Sequence, residues 1–213
     1  HAYACSEHEA DVAALLDQFT PRGGSALVIG HSMGASFALG AASKLSVNRG
    51  VRIDGLCLLG AFAKAPAAAS HPIFLLPPRV LTCVQPVLDS AFINAALHSE
   101  TRSARSSEHA EIVQICKEIS RQNPMHMCKA YYRQLQVPSD EALRSVAQPV
   151  LLLCGEADGV VPLSQTQELS VALSNATMRV VPKSSHQLMQ ERPNEVHAAI
   201  DEFLAPMLAQ SVG

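Results

Sequence analysis

At 213 residues, 48% of them apolar and 16% charged, the chain can bury a real core and is expected to form one domain with room for an inserted subdomain. A net charge of −3 with scattered basic residues excludes a general affinity for nucleic acid or acidic surfaces. The apolar segment from Ile73 to Leu97 is broken by Pro77, Pro78 and Pro86 and charged by Arg79 and Asp89, which excludes a membrane-spanning helix there.

Taken in chain order, "SEHEADVAALLDQF" predicts a helix from about residue 7 to 19, with Ser6 and Glu9 as a capping box and Val12, Leu15, Leu16 and Phe19 on one stripe. "SALVIG" (25–30) reads as a short buried strand, followed at once by a small-residue helix carrying Met33, Phe37, Ala41 and Leu45 on one face. A second buried strand runs from Ile53 to Leu59, and "QPVLLLCG" is a third, ending at Gly155. Then come a short helix with Ser164 as its predicted N-cap, a fourth strand "TMRVVP", and a closing helix. In that last helix Pro193 sits near the first turn, with Val196, Ile200, Phe203 and Leu204 facing inward. Strands alternating with helices predict an α/β fold with a mostly parallel sheet flanked by helices.

Residues 61–147 break this rhythm. They hold no strand pattern, but "EIVQICKEISRQ" and "HMCKAYYRQL" are helical, and an insertion of this length reads as a helical subdomain. Of the six cysteines, Cys57 and Cys154 lie in apolar strand-like runs and Cys116 and Cys128 in helical patterns, and no C-x-x-C occurs, which points to reduced thiols and a cytoplasmic protein rather than a disulfide framework. Neither H-E-x-x-H nor paired cysteine spacing occurs, so neither a metal nor a cofactor is expected.

The chemistry centres on Ser32, the serine of "GHSMG". A G-x-S-x-G match arises by chance in about one chain of this length in fifteen, so its setting decides. Here a strand, a tight turn and a helix follow in the required order, with Gly30 and Gly34 giving room for the turn. Such a turn lifts the hydroxyl off the sheet edge and aims helix N–H groups into the same space. A serine needs a base, and the base needs a carboxylate to orient it. Among nine histidines, His186 follows the fourth strand, at the carboxyl end of the sheet where ligands collect. Asp158 holds the matching place after the third, with Glu156 as the nearest other carboxylate. His31, next to the serine, is expected to face away from it or to pack, and His8 and His197 to face solvent from their helices. The chain order Ser32, Asp158, His186 is the one such an elbow calls for.

On "GHSMG", "VLLLCGEADGVVP" and "KSSHQLMQERP" the chain resembles the α/β-hydrolase superfamily from about Ser6 to its end. The resemblance implies Ser32 as nucleophile, His186 as general base and acid, Asp158 as the residue orienting His186, and the Met33 backbone N–H as an oxyanion donor. It divides the chain into a core, residues 1–60 and 148–213, and a helical cap or lid at 61–147. Members with serine at the elbow act on esters and related acyl bonds, whereas those acting on epoxides or haloalkanes carry aspartate there. In the family, several strands precede the helix that leads to the elbow, and one of their loops supplies a second oxyanion donor. The chain opens with His1 instead, so the expectation is a fragment of a longer hydrolase or a reduced relative.

The leading reading is therefore a serine esterase working through an acyl-enzyme on a small-molecule substrate. An apolar, lipid-like acyl group is favoured by cap stretches such as "HPIFLLPPRVL". The alternative, from another class, is a non-catalytic binding or interaction protein that keeps the fold.

Overall fold

Four short apolar runs pair side by side in the order in which they occur, and all run in the same direction. The computed structural model describes residues 3–45 and 52–211. Within them β1 (Ser25–His31), β2 (Arg52–Leu59), β3 (Val150–Gly155) and β4 (Ala176–Val181) form one parallel sheet of order β1-β2-β3-β4. Each strand lies within two residues of the span expected from sequence. The chain has the α/β-hydrolase type of architecture, with helices on both sides of a parallel sheet.

Side chains of the inner strands alternate between two cores, as the period of two requires. Leu56, Leu58 and Leu152 point into one, against α2 (Met33–Leu45) and α8 (Leu163–Ala172). Cys57, Leu59, Leu151 and Leu153 point into the other, against α10 (Pro193–Ser211) and Leu188 of the short α9 (Leu188–Glu191). A sheet covered on both faces explains why β3 is buried along its whole length and reads as a continuous apolar run. β1 is an edge strand among the described residues, and Ile29 on it is exposed, as are Leu15 and Phe19 of α1 (Cys5–Phe19).

Several local expectations are corrected. Helix α1 starts at Cys5 with Ala4 as its N-cap and no side-chain cap, so Ser6 and Glu9 form no capping box; Glu9 instead pairs with Lys44 of α2. The N-cap of α8 is Pro162, not Ser164. Helix α2 turns Ala35, Ala38, Leu39 and Ala42 toward the sheet, whereas Phe37 of the expected stripe stacks on His8. His8 therefore packs between Phe37 and Tyr131 rather than facing solvent, while His197 is exposed as expected. The side chain of Leu45 and all of His1 lie outside the described residues.

Between β2 and β3 every regular element is helical: two 3₁₀ turns (Ala67–Ser70 and Pro72–Leu75), then α3 (Pro78–Ala96), α4 (Ser99–Arg102), α5 (Ser107–Gln122), α6 (Met125–Gln134) and α7 (Asp140–Ser145). Pro86 sits inside α3 without ending it. These helices build small cores of their own, Ile93, Leu97, Ile112 and Cys116 in one, Phe74, Leu81 and Met125 in another. No helix among the described residues is long and apolar enough to cross a membrane.

Candidate active site

β1 passes into α2 through a single residue, Ser32, whose φ of +55° lies in the left-handed region that side chains rarely adopt. The strand ladder holds it there. The Ser32 N–H donates to the Leu59 carbonyl at 2.9 Å, and the Ser32 carbonyl accepts from Ala35 N–H at 3.0 Å as α2 begins. Only one of the two flanking glycines is demanded by space. A Cβ on Gly30 would stand 2.7 Å from the Gly34 carbonyl oxygen and 2.8 Å from Ala35 Cα, whereas a Cβ on Gly34 would meet nothing within 4 Å. Met33 opens α2, so its N–H is among those a helix leaves without an internal partner.

The ends of β3 and β4 supply the other two residues. Asp158 is buried in the loop after β3, and its Oδ1 accepts from the Val160 and Val161 N–H groups at 2.9 and 2.7 Å. That leaves Oδ2 for the His186 ring, whose Nδ1 is 2.9 Å away. Because the partner of Nδ1 is a carboxylate, Nδ1 carries the proton, and the bare Nε2 accepts from the Ser32 hydroxyl at 2.9 Å. Ser32, His186 and Asp158 thus form one hydrogen-bonded line across the carboxyl edge of the sheet, with His186 itself 2% exposed. The loop carrying His186 crosses directly over the end of β3, where a side chain on Gly155 would collide with the Ser185 carbonyl.

Two further residues frame the imidazole. Gly60, which ends β2 with φ +56°, leaves no room for a side chain: a Cβ would lie 2.9 Å from His186 Cε1 and 3.6 Å from Asp158 Oδ2. Of the two placements expected for His31, facing away or packing, it takes the second, and it packs on the site itself. Its ring lies 4.7 Å from that of His186, and its Nε2–H donates to the His186 carbonyl at 3.0 Å. Burial, reinforced by the neighbouring His186, lowers the pKa of His31 to about 4, so it is neutral at physiological pH. The contact was invisible in sequence, where adjacent side chains are taken to diverge.

Glu156 is turned outward, its carboxylate accepting the Lys183 N–H at 2.9 Å. Cys57 and Cys154 are buried thiols, each pushed up to about 12 by desolvation, which leaves neither as a competing nucleophile at neutral pH. Among the described residues no three His, Cys, Asp or Glu side chains are grouped as metal ligands.

Residues 1–199 match the profile described as "Alpha/beta hydrolase family". The mouse protein ABHD8 is 28% identical over 210 residues, which is 95% of this chain and 43% of that protein. Epoxide hydrolase A of Mycobacterium tuberculosis is 34% identical over 73 residues, covering 34% of this chain and 23% of that one. The chain therefore spans less than half the length of these curated relatives. Among solved structures, a thermophilic esterase from Thermogutta terrifontis superimposes with a TM-score of 0.76 at 20% identity, over 94% of this chain and 72% of its own.

Proposed function

The chain belongs to the α/β-hydrolase family, and from that premise we propose that it is a serine hydrolase cleaving a carboxylic ester through an acyl-enzyme. The observation that supports this reading is the continuous line from Ser32 Oγ to His186 Nε2 and from His186 Nδ1 to Asp158 Oδ2, both 2.9 Å. In the proposed cycle His186 Nε2 takes the Ser32 proton as Oγ attacks the ester carbonyl, and Asp158 stabilises the imidazolium that forms. The Met33 N–H faces the developing oxyanion. His186 then returns the proton to the departing alcohol, and a water activated by the same Nε2 hydrolyses the acyl-serine. Serine at the elbow argues for this chemistry over the epoxide opening named for the mycobacterial relative.

Residues 61–147 are proposed as the cap over the site, with 1–60 and 148–213 as the core. The proposed substrate is a small ester with an apolar acyl group. In "HPIFLLPPRVL" Phe74 and Leu81 are taken up by the helices' own core, while Leu75, Leu76 and Val80 remain exposed. Hydrolysis of p-nitrophenyl esters of increasing acyl length tests the assignment. Turnover that rises from acetate toward longer chains and disappears in Ser32→Ala supports it, and no turnover of any ester refutes it.

A further inference from the structure

The loops that carry Asp158 and His186 are tied to the end of a helix in the 61–147 insertion as well as to the sheet. A helix leaves its last carbonyls without internal partners, and those of α3 are used here. The Ala95 carbonyl accepts from Gly159 N–H at 3.1 Å, next to Asp158, and from Ser185 Oγ at 2.8 Å, next to His186. The Ala96 carbonyl accepts from Gln187 N–H at 3.1 Å, on the other side of His186. Close approach is possible because Gly159 has no side chain; a Cβ there would stand 2.9 Å from the Ala95 oxygen. A buried carboxylate completes the junction. Glu191 Oε1 accepts from His98 N–H at 2.7 Å and Oε2 from Ser185 N–H at 2.6 Å, with the residue 5% exposed.

We propose that Glu191 is a positioning residue which, with the terminal carbonyls of α3, sets the register of the acid and histidine loops, so that the insertion aligns the Ser32–His186–Asp158 line. Only a carboxylate presents acceptors to both N–H groups at once. Glutamine would aim an NH₂ group at one of them. A residue needed merely to fill space would not require two charge-assisted bonds, one of them reaching 93 positions along the chain. The proposal rests on the reading of these three residues as a triad.

The test approaches the carboxylate from its far side. His98 has φ −62° and ψ 152°, a conformation proline adopts, and Leu97 before it is extended, as a residue preceding proline must be. His98→Pro therefore removes the donor to Glu191 and stands its ring against Oε1. His98→Ala removes the imidazole but keeps the N–H. Ester hydrolysis, fluorophosphonate labelling and hydrogen exchange at the Ser185 amide are compared across the unaltered protein, both His98 variants and Glu191→Gln. The expected result is a fall of ~10–100-fold in kcat and labelling rate for His98→Pro and Glu191→Gln, with KM changed little. His98→Ala stays near the unaltered rate, and the Ser185 amide loses protection only in the two disruptive variants. A double variant carrying both His98→Pro and Glu191→Gln is no worse than Glu191→Gln alone. His98→Pro matching His98→Ala in kcat, or full Ser185 protection in both disruptive variants, overturns the proposal. Absence of labelling in the unaltered protein would instead condemn the triad reading, with Ser185 exchange still reporting on the junction. Should Glu191→Gln fail to fold, the pair of His98 variants decides alone.

Discussion

Gly60 and His186 touch so closely that the glycine forms one wall of the imidazole's seat: a Cβ on Gly60 would stand 2.9 Å from His186 Cε1 and 3.0 Å from Nδ1. Gly60→Ala is expected to displace the ring and lower kcat ~100-fold, because misplacement of about 1 Å costs that much. The left-handed φ of +56° adds a backbone cost of about 1–2 kcal/mol, a fall of roughly 2–8 °C in melting temperature. Steady-state kinetics with a thermal melt separate the two effects, and unaltered kcat would show that the ring has room to move.

Asp158→Asn is expected to lower turnover by about 10⁴-fold while the fold persists. Val160 and Val161 both donate to Oδ1, so an asparagine would keep its carbonyl oxygen there and turn its NH₂ toward His186. Nδ1 would then have to accept, Nε2 would hold the proton, and Ser32 would lose its base. Circular dichroism and kcat check both halves.

The glycines flanking Ser32 are expected to behave differently despite their symmetry in the motif. Gly30→Ala drives a methyl into the backbone of Gly34 and Ala35 and should cost the protein its folded elbow. Gly34→Ala projects into open space and removes a helical glycine, so stability should hold or rise by up to about 1 kcal/mol. Denaturant midpoints for the two variants check the contrast.

His31 makes stability depend on pH. Its pKa is about 4 when folded against 6.5 ordinarily, so between those values the unfolded chain binds more protons and stability falls as the pH falls. The contribution is fully present above pH 6.5 and is lost progressively down to about pH 4, on the order of 3 kcal/mol in all. His31→Gln should flatten this part of the profile. Urea midpoints at pH 7 and pH 4 for both proteins give the comparison, and parallel profiles would contradict it.

What was legible in the sequence is what local pattern controls. The inner strands β2 and β3 show as apolar runs because a doubly covered parallel sheet tolerates little else, the edge strands β1 and β4 by their β-branched residues, and Ser32, Asp158 and His186 stand out because each follows a strand. The misread details are those where tertiary contact overrode local chemistry. Glu9 joins Lys44 rather than capping its own helix, and His8 stacks on Phe37. The prolines of 77–86 read as interruptions, yet Pro78 starts α3 and Pro86 is absorbed within it. Gly60, His31 and Glu191 left no signal, because each acts on the histidine loop across more than 100 positions of chain or by an orientation that spacing does not encode.

The most direct measurement is mass spectrometry of the protein after exposure to a fluorophosphonate, followed by mapping of the modified peptide. One adduct per chain is expected, carried by Ser32, formed at a rate that falls steeply in Asp158→Asn and absent from Ser32→Ala. An adduct on another residue, undiminished in Ser32→Ala, or no adduct at all in the unaltered protein, would contradict it.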